Sequence, residues 1–144
     1  MNRAWAVAAA VLAVAGCSSS PPPEFQPPPG ALVPGTAQMT VNGRDAGTTQ
    51  SVQCNTIGPL TMISTGDQAS GLTAMVSNRE DLVVRNLGIN DLGGFTGSYN
   101  QGLGGEANVS MTGRTYDING TAEGFDTDNP SFRTTGTFQV KIAC

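Results

Sequence analysis

Glu106-Ala107-Asn108-Val109-Ser110-Met111-Thr112-Gly113-Arg114-Thr115-Tyr116-Asp117-Ile118-Asn119-Gly120-Thr121-Ala122-Glu123 decides the fold. Ala107, Val109 and Met111 alternate with polar residues, and so do Tyr116 and Ile118. That period of two is the signature of half-buried strands. Gly113-Arg114 lies between the two runs, and a two-residue loop beginning with Gly suits a type II′ turn. The register then sets Met111 opposite Tyr116 and Val109 opposite Ile118, with both pairs on one face.

The same pattern extends outward along the chain. Phe138, Val140, Ile142 and Cys144 alternate with Thr137, Gln139, Lys141 and Ala143 in a C-terminal strand. Val52 and Cys54 point one way, and Leu60, Met62 and Ser64 continue the pattern after Pro59. Leu82 to Ile89 is apolar enough for a central strand, and Phe95, Tyr99 and Leu103 share a face across a Gly-rich run. Asn42-Gly43 marks another tight turn. Ala69 to Ser77 suits either a short helix or a strand. No long stretch repeats every 3.6 residues. The reading is an all-β, antiparallel domain over residues 38–144, built as a sandwich or a strongly curved sheet.

Composition excludes several functions. The 144 residues hold 7 Lys+Arg, 11 Asp+Glu and no His, for a formal net charge of −4. An acidic chain carries no electrostatic footprint for nucleic acid. Without His there is no Ser-His-Asp or Cys-His catalysis and no His-ligated metal. Lys141 is the only Lys, which leaves little for Schiff-base or phosphate-loop chemistry. Asp126-Thr127-Asp128-Asn129 resembles the start of a calcium loop, but Pro130 and Thr137 stand where ligands are needed. Glu80, Glu106 and Glu123 offer carboxylates, and nothing in the sequence pairs them as a glycosidase requires. The glycines between Gly93 and Gly105 do not fit a phosphate-binding fingerprint and suit turns and bulges. Asn108-Val109-Ser110 and Asn119-Gly120-Thr121 match the N-glycan pattern, a three-residue match that carries little weight by itself. No catalytic residue, metal or cofactor is expected.

The N-terminus is an address. Arg3 precedes an unbroken apolar run from Ala4 to Ala15. As a helix the run would span roughly 18 Å, too short for a hydrocarbon core of about 30 Å, and it fits a secretory signal. Val14-Ala15-Gly16-Cys17 follows directly and looks like a bacterial lipobox; the alternative is an ordinary signal with a chance Cys. In lipoproteins of that kind the Cys thiol takes a diacylglyceryl group, and cleavage just before it makes it the first residue. Residues 1–16 are thus expected to leave, taking Arg3 and the only Trp with them. Cys17 would anchor the chain to the outer face of the cell membrane, and two acyl chains hold stably where one is marginal.

Residues 17–37 comprise this N-terminus and a Pro/Ser-rich stalk with seven of the nine prolines. Such a composition cannot bury a core and favours extended polyproline II, about 60 Å over nineteen residues. Its PxxP patterns have no cytosolic partner in an exported protein, so a spacer is the better reading. With Cys17 taken by lipid, Cys54 and Cys144 remain as an even pair. Export puts them in an oxidising compartment, where a disulfide is expected, with buried free thiols as the alternative. Both are expected on the inward faces of their strands.

These features together resemble the mycobacterial LpqH-type lipoprotein antigen family. The matching stretches are Val41-Asn42-Gly43-Arg44-Asp45, Ser51-Val52-Gln53-Cys54, Tyr116 to Asp126 and Phe138 to Cys144, with the lipobox ahead of them. The stalk departs from relatives that are Thr-rich and O-mannosylated there. The resemblance implies a lipid-anchored envelope protein, sensed by host Toll-like receptor 2 through its acylated N-terminus, with adhesion to host cells as a further role. It implies no enzymatic activity. The competing expectation is an envelope lipid or glycolipid carrier, which would need an apolar cavity in a domain with few large apolar residues.

Overall fold

The computed structural model describes residues 16–17 and 19–144. It is all-β and antiparallel, with ten strands: β1 Ala37–Val41, β2 Arg44–Thr49, β3 Val52–Ile57, β4 Leu60–Gly66, β5 Gly71–Ser77, β6 Val83–Leu92, β7 Phe95–Asn100, β8 Ala107–Thr112, β9 Thr115–Asp126 and β10 Thr134–Ala143. They form one sheet in the order β2-β1-β10-β9-β7-β6-β5-β4-β3, with β8 also paired to β9. Of the two expected architectures, this is the strongly curved sheet. Register shifts at Met39/Thr40, Met75/Val76 and Ile89/Leu92 are where bulges bend it.

The sheet rolls into a nearly closed barrel whose two ends, β2 and β3, are consecutive in sequence. Its interior is filled by side chains from most strands, among them Val41, Ile63, Leu72, Leu87, Phe95, Ile118, Phe138, Val140 and Ile142, all nearly inaccessible. Across that interior the Thr65 hydroxyl of β4 donates to Met39 Sδ of β1 at 3.5 Å. The longest strand, β9, is the organiser. Residues Thr115 to Gly124 pair with β10 on one side. On the other, β8 takes Thr115–Gly120 and β7 takes Glu123–Asp126.

The β8–β9 hairpin has the expected register, Met111 with Tyr116 and Val109 with Ile118. Gly113 has φ +59°, which the first turn position of type II′ requires. Asn42 and Gly43, at φ +52° and +74°, form the expected tight turn between β1 and β2. Residues 71–77 are a strand, which resolves the ambiguous stretch. Three details differ from the sequence reading. β4 buries Thr61, Ile63 and Thr65 and turns Leu60, Met62 and Ser64 outward, because Ile63 faces the core. Leu103 leaves the face of Phe95 and Tyr99, lying 82% exposed in the turn after β7. Met111 is also exposed, since it sits at the turn end of its hairpin.

Candidate functional site

Two features carry the functional chemistry: the place where the stalk meets the domain, and the disulfide beside it. The backbone before β1 is clasped to the end of the chain. Gly35 N–H donates to the Ala143 carbonyl at 2.8 Å, and Ala143 N–H returns a bond to Thr36 at 2.9 Å. Further back, Leu32 N–H donates to the Thr115 hydroxyl at 2.9 Å, and Lys141 Nζ reaches the Gly30 carbonyl at 3.5 Å. Hydrogen bonds to the barrel therefore begin at Gly30, within the Pro-rich segment. The preceding residues 19–29 are exposed apart from the half-buried Pro27, with Phe25 62% accessible. Cys17, the expected lipidation residue, is exposed and unbonded.

Cys54 and Cys144 are joined as a disulfide, with Cα atoms 5.9 Å apart and 90 positions between them in sequence. The expectation that both are inward needs correcting. Cys144 is half-buried against the core, but Cys54 is exposed. Cys54 does pair with the inward Ile63. Its strand, however, is the last of the sheet and has no further strand to cover it. The bond thus runs from one end of the sheet to the residue after β10, across the place where the barrel is open. Cys144 N–H also donates to the Arg114 carbonyl in the β8–β9 turn at 3.1 Å. The chain terminus, the stalk clasp and the disulfide occupy one locality.

The other residues singled out from sequence are scattered. Glu123 accepts a bond from the Thr135 hydroxyl at 2.8 Å, and Glu106 is held through its backbone N–H to Thr121 Oγ1 at 3.1 Å. Glu80 lies in the connection between β5 and β6. In the suspected calcium loop, Thr127 Oγ1 donates to Asp91 Oδ1 at 2.9 Å and Asn129 N–H closes a turn on Asp126. Among the described residues no group of three or more His, Cys, Asp or Glu is placed to hold a metal. Among the described residues no helix is long and apolar enough to cross a membrane.

Gly120, within one of the glycan-pattern triplets, has a packing role that sequence reasoning missed. A side chain there would run into the Glu106 carbonyl, so the bare backbone is what lets the start of β8 close on β9. Only the register, which places Ala107 opposite Gly120, reveals this.

Residues 30–144 match the family model of the Mycobacterium 19 kDa lipoprotein antigen. The chain belongs to this lipoprotein antigen family. A Mycobacterium indicus pranii protein named as a lipoprotein is 35% identical over 148 aligned positions, covering all of both chains. Lipoprotein LpqH of Mycobacterium tuberculosis is 32% identical over 115 residues, 77% of this chain and 72% of that one. LpqH of Mycobacterium avium is 31% identical over 108 residues, 74% and 67% of the two chains. The family region starts at Gly30, the residue where hydrogen bonds to the barrel begin. As a lipoprotein of this family, the chain is membrane-anchored and associated with the envelope.

Proposed function

We propose that this lipoprotein is a non-enzymatic display protein. Cys17 carries the acyl anchor on the outer face of the membrane, the Pro-rich segment is the spacer, and the barrel is held outward for contact with surfaces and host receptors. The observation that carries the reading is the clasp at Gly35 and Thr36, which gives the stalk a fixed exit from a nearly closed, side-chain-filled barrel. The chain before Gly30, the first residue bonded to the barrel, serves as tether and carries the lipid. On this reading the acylated N-terminus is what host Toll-like receptor 2 recognises. The carrier alternative needs interior space, and Phe95, Leu87, Leu72 and Ile63 occupy it.

Replacing Cys17 by Ala tests the proposal. Expressed in a mycobacterium, the variant is expected in the soluble fraction, with its receptor-dependent reporter signal reduced to background. A Cys17→Ala protein that stays in the membrane and signals at full strength overturns it. Native mass spectrometry of the membrane-extracted protein gives an independent readout. The expected mass is the chain from Cys17 plus acyl groups, less two hydrogens for the disulfide.

A further inference from the structure

The outer face of β3 to β6 is not flat. A trough of about 620 Å³ crosses it. Its floor is a row of register partners, Gln53 on β3, Ser64 on β4, Thr73 on β5 and Gly88 on β6. The floor is low because the row ends in a residue without a side chain. A Cβ at Gly88 would already press on Thr73 Oγ1 at 3.0 Å.

One wall is the loop of residues 66–70, held in place from β6. Asn90 Nδ2 donates to the Gln68 carbonyl at 2.9 Å, and Ser70 Oγ donates to the Asp91 carbonyl at 2.7 Å. The loop carries Asp67, whose Oδ1 accepts the backbone N–H groups of Ala69 and Ser70 at 2.8 and 2.9 Å. Those bonds hold its carboxyl below the usual value of 3.8, so it is ionised at neutral pH. Both use Oδ1, which leaves Oδ2 as an acceptor at the trough. The opposite wall belongs to a second depression of about 550 Å³ that shares Gln53, Ser64 and Thr73. There the cross-strand row is Asn55, Met62, Met75 and Asn86, with Met62 51% exposed.

The chemistry of this surface is selective. No Lys or Arg lines either depression, and the one charge is a carboxylate. An anionic ligand would meet repulsion without a cation to offset it. A fatty chain would strip water from hydroxyls and amides that it cannot bond. An extended peptide takes its affinity from unpaired strand edges or deep side-chain pockets. The free edge here is that of β3, which lies in the plane of the sheet, whereas the trough runs over the outer face and crosses β4 and β5, which are paired on both sides. A sugar suits all of its parts. Amides donate to and accept from vicinal hydroxyls, an ionised carboxylate accepts from them, and polarizable thioethers cover the C–H face of a ring.

We propose that this trough is a binding site for an uncharged glycan. Asp67 Oδ2, Gln53 and Asn86 engage sugar hydroxyls, and Met62 and Met75 support the ring faces. The site is separate from the lipid anchor and does not depend on it.

The test is calorimetric titration of the intact chain, in detergent micelles, with short linear oligosaccharides of mannose, galactose and glucose. Saturable binding of at least one is expected, in the millimolar range or tighter. Ser64→Phe, which raises the floor with an outward side chain, is expected to weaken it about tenfold or more while leaving the melting temperature in place. Should that variant misfold, Gln53→Ala and Met75→Ala are each expected to weaken binding with the fold intact. Asn108→Ala on β8 is expected to bind as the parent does. Three results would overturn the proposal. One is no heat with any of the three sugars at about 10 mM. Another is binding that Ser64→Phe, Gln53→Ala and Met75→Ala all leave unchanged. The last is a neutral extended peptide that competes at equal affinity, which would make the trough a peptide site.

Discussion

Phe95 is wholly buried, and two glycines make its place. A Cβ added at Gly97 of β7 or at Gly136 of β10 would lie 2.7 Å from the Phe95 ring, closer than any real contact of that kind. The ring cannot retreat, because the core closes around it. Gly136→Ala is therefore expected to destabilise the domain by about 1–3 kcal/mol through overpacking. The readout is the urea midpoint, which falls while the slope of the transition stays constant. This use of Gly was hidden in the sequence. Gly97 falls among the glycines that suit turns and bulges, nothing local singles out Gly136, and only the folded arrangement shows that both make room for an aromatic ring. The trough at Gln53, Ser64, Thr73 and Gly88 was hidden for the same reason. Its residues lie on four strands, and nothing local marks Gly88 as the end of a row.

At the scale of elements, what was legible is what local chemistry decides. The β8–β9 hairpin could be read residue by residue, because a Gly-X turn between two alternating runs leaves one register that puts Tyr116 and Ile118 on the same side. Gly113→Val tests how much depends on that turn. A β-branched residue at φ +59° is strained, so a loss of about 1–2 kcal/mol is expected, measured by thermal unfolding. Amide exchange should rise first at Ser110 to Asp117. Where several apolar residues compete, the sequence was less decisive. Leu60, Met62 and Ile63 offer two faces for β4, and pairing of Ile63 with Ala74 and Cys54 selects the inward one. Cys54 shows the same limit. Its side follows from alternation, but its exposure follows from β3 being the last strand, which is a property of the whole sheet.

For the whole molecule the open side of the barrel is the decisive feature. The strands that border it, β2 and β3, each pair on one side only. The disulfide spans this gap and closes a loop of 90 positions. Replacing Cys54 and Cys144 together by Ser is expected to cost roughly 4–5 kcal/mol by the chain-entropy relation. Chemical denaturation of parent and variant measures it. Hydrogen exchange should locate the loss, with β3 opening well before β9 and β10. An unchanged midpoint would mean that the sheet pairing alone keeps the barrel shut. The pairing of these two cysteines was legible because removing Cys17 left an even number. That the bond closes a barrel was not, since it required the order of strands.

The clasp between Thr36 and Ala143 has a mechanical side. Any drag on a domain held by a tether reaches the fold where the tether runs into it, and here the residues just before β1 are stitched to β10 by two reciprocal backbone bonds. The next residue, Cys144, is covalently fixed to β3. A tug on the stalk is therefore shared at once between both sides of the gap, instead of peeling β1 away from one of them. The point that takes the strain is also the point where the barrel is riveted.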